Sequence, residues 1–127
     1  MASSDWPIDE APGQDVRVPL PQDFRLQSGD RLAASEVVGR LYGPAEGPLV
    51  VVAGGVSADR RAGRWWSWAV RKGGPVDLGR LRVLAFDWAP EAAHGPVTIT
   101  TTDQARRLAL LLDALGEARV DAFLGAS

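Results

Sequence analysis

The residues best suited to chemistry stand at the end of the sequence, in Gly125-Ala126-Ser127. They follow Val120-Asp-Ala-Phe-Leu124, a short and mostly apolar run that predicts a buried strand. A serine that follows a strand through a glycine and one small residue is the first half of a G-x-S-x-G motif, in which a sharp turn presents the hydroxyl as a nucleophile. Because half a motif also occurs in ordinary turns, the segments upstream decide whether Ser127 is catalytic.

Two other apolar runs predict strands that are covered on both faces. Leu49–Ala53 is continuous and β-branched, and it ends in Gly54-Gly55. Glycines directly after a buried strand allow backbone N–H groups to face a bound group, although a plain turn explains them as well. Arg82–Asp87 is the second run, and it ends in a carboxylate.

A capped helix is predicted between the second and third of these strands. Thr100 and Asp103 have the spacing of a capping box, and apolar residues then recur at intervals of three and four up to position 115. Strands that alternate with helices predict a parallel sheet, in which ligands bind beyond the carboxyl ends of the strands. We therefore expect Gly54, Asp87 and Ser127 at one edge.

The rest of the chain gives weaker signals. Residues 1–22 are rich in proline and predict an extended or poorly ordered arm, which leaves 23–127 as the folded unit. Phe24–Leu26 and the run 35–43 predict an antiparallel pair of strands. The segment 60–72 predicts a short helix, and at least one of its three closely spaced tryptophans should line a cleft, cover a loop or meet a partner.

Composition excludes several classes of function. The net charge of -2 gives no reason to expect nucleic acid or an anionic membrane surface. Without cysteine there is no disulfide, thiolate nucleophile or Cys-ligated metal, and no motif suggests another metal site. No run approaches the length of a membrane span, and the first residues do not resemble a signal peptide. We therefore expect a cytoplasmic protein.

Taken together, the segments resemble the N-terminal part of an α/β-hydrolase, and more specifically the homoserine O-acyltransferases. The pair Trp65-Trp66, followed by Gly73, Asp77 and Arg80, is similar to the family's G-W-W…G-P-G…L-D-T-x-R block. Two further matches are Thr100-Thr-Thr-Asp-x-x-Arg106 and Leu111-Leu-Asp-Ala-Leu-Gly116, which resemble the beginning and the end of a helix in the family. The likeness covers roughly residues 24–127.

Two segments near the expected site differ from that family. Gly54-Gly-Val-Ser-Ala58 stands where the family often has His-Ala-Leu-Thr-Gly. Trp88–Pro96 replaces a longer glycine-rich loop. These differences bear on the acyl donor and the acceptor more than on the fold.

The resemblance implies acyl transfer in two steps through an acyl-serine, with acetyl-CoA or succinyl-CoA as co-substrate and a hydroxy amino acid such as homoserine as acceptor. Ser127 would be the nucleophile, and the backbone N–H of Val56 would help to hold the oxyanion. Gly54 and Gly55 would line the substrate site. Methionine or a related amino-acid biosynthesis is the implied setting.

In this superfamily the triad follows the order Ser, Asp, His, so both partners of Ser127 are expected beyond residue 127, in a C-terminal part that completes the fold. His94 precedes the serine and is expected to be a solvated loop residue. The chain could also form a homodimer. No permanently bound cofactor is expected.

Three readings of the sequence stay open. An acyltransferase of the homoserine type, or one that uses serine as acceptor, is the first. An esterase-like serine hydrolase on the same scaffold is the second, and the exclusion of water would separate the two. A domain without catalytic activity, in which Ser127 is only a turn residue, is the third.

Overall fold

Seven short strands and two helices make up the part of the chain that the computed structural model describes, namely residues 9–32, 36–55, 58–89 and 98–126. In chain order they are β1 (Gly13–Pro19), β2 (Glu36–Tyr42), β3 (Leu49–Ala53), α1 (Ala62–Trp65), β4 (Val70–Arg71), β5 (Val76–Asp77), β6 (Arg82–Phe86), α2 (Thr101–Ala114) and β7 (Ala122–Gly125).

The central sheet has the strand order β1-β2-β6-β3-β7. Strands β6, β3 and β7 run parallel to one another, whereas β1 pairs antiparallel with β2, and β2 antiparallel with β6. All five residues of β3 are buried, as expected for a strand with neighbours on both sides and cover on both faces. The predicted fold class, an antiparallel edge pair joined to parallel βαβ strands, is confirmed. Strands β4 and β5 form a separate two-stranded sheet.

The first strand of the antiparallel pair is not the predicted one. It is β1, which lies within the segment for which the sequence predicts an extended or poorly ordered arm. Val16 and Val18 alternate with exposed Arg17, and Pro19 is the last residue of the strand, where its missing donor is tolerated. The strand predicted at Phe24–Leu26 is wrong, because a turn closes there through the Leu26 N–H and the Asp30 carbonyl at 2.9 Å.

The helix predicted between the second and third buried strands is confirmed as α2. Thr100 and Asp103 form the predicted capping box. The predicted apolar face is confirmed in part: Leu108, Leu112 and Leu115 pack against the core, whereas Ala105 and Ala109, which share their spacing, are exposed. The fully buried residues of the helix are Asp103, Arg107 and Leu111.

The spacing of apolar residues does not predict that Asp103 and Arg107 are buried. Asp103 accepts from the backbone of Gln27 and Arg107 donates to the carbonyl of Asp87, and both contacts join residues distant in sequence. The helix predicted over 60–72 is wrong in extent, because α1 has only four residues.

Two apolar cores lie on opposite faces of the sheet, because alternate side chains of β3 point to opposite sides. Val50 and Val52 pack with α1 and the β4–β5 segment on one face. Leu49, Val51 and Ala53 pack with Leu111 of α2 on the other face. The last run is a strand as predicted, but it is not buried: β7 lies at the edge of the sheet, all four of its residues are exposed, and Phe123 is 57% exposed, because the structure describes no neighbour on its outer side.

Candidate active site

The carboxyl ends of the three parallel strands are level, as the sequence predicts. Val52 of β3 pairs with Ala85 of β6 and, on its other side, with Leu124 of β7. The N–H of Ala126 donates to the carbonyl of Ala53 at 2.8 Å. The residue before Ser127 is thereby hydrogen-bonded to the strand that leads into Gly54. The register brings Gly54-Gly55 and Gly125-Ala126 to one edge of the sheet.

Three of the residues singled out from the sequence, Val56, His94 and Ser127, lie outside the described residues. Their roles stay predictions. Gly54, Gly55 and Asp87 are described, and the geometry of the site rests on them and on their neighbours.

The two glycines after β3 have different surroundings. A Cβ on Gly54 would come within 2.3 Å of the Ala58 Cβ and 2.9 Å of the Trp65 ring, so only glycine fits there without displacement of the loop. Among the described residues other than its chain neighbours, no atom lies within 4 Å of where a Cβ on Gly55 would stand. Gly54 is therefore explained by close packing of the loop, and no such packing is found at Gly55 in the described part of the chain.

The carbonyl of Gly55 has two donors in the structure. The backbone N–H of Ala58 donates to it at 2.9 Å. The indole Nε1–H of Trp88 also donates to it, at 3.2 Å. Since a carbonyl oxygen has two lone pairs, both accepting positions of Gly55 are taken.

Asp87 connects the loop after β3 to the end of β6. One carboxylate oxygen accepts from the backbone N–H of Arg60 and the other from its guanidinium, both at 2.8 Å. The N–H of Asp87 donates to the carbonyl of Val38 at 2.9 Å, and its own carbonyl accepts from Arg107 at 3.1 Å. With these partners, Asp87 anchors the loop.

Arg60 extends this connection to β1. It donates to both oxygens of Asp15, at 3.1 and 3.2 Å, while Arg40 donates to the same carboxylate at 2.8 Å. Hydrogen bonds from Arg60 and Arg40 lower the pKa of Asp15 to about 2. Asp15 therefore stays ionised at neutral pH, and the loop is tied to two neighbouring strands of the sheet.

The tryptophan cluster covers the same loop from the other side. Trp65 stacks on Trp66 with ring centroids 6.0 Å apart, and its indole N–H donates to the carbonyl of Asp59 at 2.9 Å. Trp68 meets Trp66 edge to face and is 49% exposed. Of the three roles that the sequence leaves open for these rings, Trp65 covers a loop.

No family model matches the sequence. A curated protein, the homoserine O-succinyltransferase of Xanthomonas campestris pv. campestris, is 39% identical over 95 residues, which are 68% of this chain and 26% of that protein. The chain is a relative of the homoserine O-acyltransferases. It spans about a quarter of the length of this curated relative.

Comparison with solved structures shows that this chain has the α/β-hydrolase fold. The homoserine O-acetyltransferase of Staphylococcus aureus superposes with a TM-score of 0.77 at 21% identity, over 91% of this chain and 39% of that one. Esterase E22 superposes equally well, with a TM-score of 0.77 at 16% identity, over 91% of this chain and 41% of that one. Because both identities are low, the superpositions establish the fold alone.

Several residues that connect the elements of the candidate site could not be predicted from the sequence. Arg60, Trp88 and buried Arg107 stand in no local motif, and only contacts across the sheet give them a role. Within the described ranges, no three His, Cys, Asp or Glu residues form a group that could hold a metal ion. In the same ranges, no helix is long and apolar enough to cross a membrane.

Proposed function

We propose that the intact protein is an acyl-CoA-dependent O-acyltransferase of the homoserine O-acetyltransferase and O-succinyltransferase type, acting in methionine or a related amino-acid biosynthesis. The observation that carries this proposal is the 39% identity to a homoserine O-succinyltransferase over 95 residues. The level ends of β3 and β7 support it, because they bring Gly54-Gly55 and Gly125-Ala126, the residue pair before Ser127, to one edge of the sheet.

In the first step, Ser127 attacks the thioester carbonyl of acetyl-CoA or succinyl-CoA, and its proton passes to a histidine that an aspartate orients. The tetrahedral intermediate collapses with loss of the CoA thiolate, which takes up that proton, and an acyl-serine remains. In the second step the hydroxyl of homoserine attacks the ester, and release of the O-acyl amino acid restores Ser127. We place the aspartate and the histidine beyond residue 127.

The oxyanion in both steps is held by backbone N–H groups, one of which we assign to Val56. The surroundings of Gly55 support this assignment, because among the described residues other than its chain neighbours no atom lies within 4 Å of where a Gly55 Cβ would stand. Preorganised donors of this kind act most strongly where water is excluded.

The exposed edge of β7 suggests where the rest of the protein sits. Both Phe123 and Leu124 are exposed, and uncovered apolar edge strands are templates for unwanted pairing. We propose that the part of the protein that supplies the aspartate and histidine covers this edge. The formation of a homodimer is a second, separate proposal, and it does not depend on this edge.

A serine hydrolase is the second candidate, because esterase E22 superposes as well as the acetyltransferase does. One experiment separates the two. The intact protein is incubated with acetyl-CoA or succinyl-CoA, and free CoA thiol is followed with homoserine, with serine and with neither. We expect one donor to give thiol release that depends on homoserine, with formation of the O-acyl product. Equal release without any acceptor would favour the hydrolase, and product formation only with serine would change the acceptor.

A further inference from the structure

We propose that the N-terminal segment, residues 10–19, is a strap whose acidic side chains keep the loop at residues 58–61 closed. Glu10 lies before β1 and Asp15 lies within it, and each binds one of two neighbouring arginines in that loop. Loss of these ion pairs would open the loop while the sheet stays folded. This conformational control lies beside the candidate site and does not depend on the acyltransferase reaction.

The first contact joins Glu10 to Arg61. The guanidinium of Arg61 donates to both carboxylate oxygens of Glu10, through Nε at 3.1 Å and also through Nη2. The hydroxyl of Tyr42 donates to the same carboxylate at 3.3 Å. Burial raises the pKa of Glu10, but the hydrogen bonds from Arg61 and Tyr42 outweigh burial and hold it below the ordinary value of 4.5. Glu10 is therefore ionised at neutral pH, as an ion pair with Arg61 requires.

The second contact joins Asp15 to Arg60. Arg60 donates to both oxygens of Asp15 through Nε and Nη2, and through Nη1 it reaches Asp87 at the end of β6. Asp15 stands opposite Arg40 in the register of β1 and β2, and Arg40 donates to it at 2.8 Å. Two consecutive residues of the loop are thus each bound by a different carboxylate of the strap.

The strap itself is firmly placed on the sheet. All seven residues of β1 pair with β2, and Val16 and Val18 pack against the core on the side of α2. A Cβ on Gly13 would come within 2.9 Å of the Tyr42 ring, and a Cβ on Gly63 of α1 within 2.8 Å of the same ring. Tyr42 is therefore packed closely against both the strap and the helix that follows the loop.

The loop, in contrast, is held mainly by side chains. The N–H groups of Arg60 and Arg61 donate to the carboxylates of Asp87 and Asp59 rather than to a strand, and the indole of Trp65 donates to the carbonyl of Asp59. All four residues of the loop are only half-buried. Segments of this kind open locally at a lower free energy than strands and helices do. We therefore expect the strap to determine how often the loop opens.

Trypsin measures this opening directly, because it cleaves after arginine and the loop contains two adjacent arginines. The intact protein is digested under native conditions as the wild type, Glu10→Gln, Asp15→Asn and the double variant. Mass spectrometry identifies the fragments and gives the rate of cleavage within residues 58–61. When opening and closing are fast relative to cleavage, this rate follows the population of the open loop.

Two controls separate opening of the loop from general destabilisation. Glu36→Gln removes the ion pair with Arg17, which also joins β1 to β2 but has no contact with the loop in the described part of the chain. Cleavage after Arg107, a residue buried in α2, reports unfolding of the domain as a whole.

We expect each strap variant to be cleaved in the loop about fivefold faster than the wild type, the upper range for a partly exposed ion pair, and the double variant faster still. Raising the salt to about 0.5 M should speed loop cleavage of the wild type but not of the double variant, because salt screens ion pairs. Cleavage after Arg107 should not change, and Glu36→Gln should match the wild type.

Three results would each overturn the strap. The first is equal loop cleavage in the wild type and in both single variants. The second is an equal increase in cleavage after Arg107, which would show that the variants destabilise the whole domain. The third is an equal increase in Glu36→Gln, which would show that any ion pair of β1 has the same effect.

Discussion

At the scale of single residues, the least expected feature is a buried carboxylate at the start of α2. Asp103 is fully buried and accepts from the backbone N–H groups of Thr100 and Gln27, both at 2.9 Å. Burial alone raises its pKa, but these hydrogen bonds outweigh burial and hold the pKa of Asp103 below its ordinary value of 3.8. The helix cap therefore also connects α2 to the segment before β2.

This environment predicts how stability depends on pH. Because the pKa of Asp103 is lowered in the folded state, its contribution is present above pH 3.8 and is lost as the pH falls below that value. Asp103→Asn leaves one backbone N–H without an acceptor and should cost about 1–3 kcal/mol at neutral pH. Urea unfolding of the intact protein between pH 3 and pH 7 measures both effects.

Asp113→Asn is the matched control, because Asp113 is exposed on the same helix. Asp113→Asn should have the same free energy of unfolding as the wild type at neutral pH, and that free energy should fall by the same amount on acidification. Asp103→Asn should be less stable at neutral pH and lose less on acidification. Equal curves for the two variants would show that the buried cap does not stabilise the fold.

At the scale of elements, the loop between β3 and α1 has the strictest packing requirement near the site. Gly54→Ala places a Cβ against Ala58 and Trp65, and overpacking of this kind typically costs about 1–3 kcal/mol. Gly55→Ala places its Cβ within 4 Å of no described atom outside its chain neighbours and is the control for stability, with an expected change within about 0.5 kcal/mol. Denaturant unfolding of both variants tests this, and equal losses would contradict the close approach at Gly54.

The same scale shows how far the sequence predicts the structure. Continuous apolar runs correctly predicted β3 and β6 as buried strands, because a strand covered on both faces consists almost entirely of apolar residues. The run before Gly125 correctly predicted the strand β7 but not its exposure, which depends on the position of β7 at the edge of the sheet. Strand β1 was not predicted, because the prolines around it disfavour regular structure. The strand is also only partly buried, so its apolar pattern is weak. Helix α1 was predicted too long, and its last residue, Trp65, donates its indole N–H to the loop carbonyl of Asp59.

The candidate site was predictable only in part. The sequence alone predicted Gly54-Gly55 and Asp87 at this site, because each directly follows an apolar run that predicts a strand. The connection of Asp87 to Arg60, and that of Trp88 to Gly55, join residues about 30 positions apart, as their separations of 27 and 33 show. No local spacing indicates such contacts, because they exist only once the strands are paired.

At the scale of the whole molecule, the sheet has one face covered by α2 and the other by the tryptophan segment. The fold is shared with an esterase and with an acetyltransferase, so the fold alone does not identify the chemistry. What separates a catalytic edge from an ordinary one is whether Ser127 forms a covalent bond to an acyl group.

Mass spectrometry of the intact protein after brief incubation with acyl-CoA measures this directly. The wild type should gain one acyl group and Ser127→Ala none, and turnover in the variant should fall by about 10⁶ in kcat. Ser67→Ala, at a buried serine outside any strand-to-turn motif, should be acylated like the wild type. An acyl adduct that persists in Ser127→Ala, or transfer at the wild-type rate, would contradict both the nucleophile and the acyltransferase function built on it.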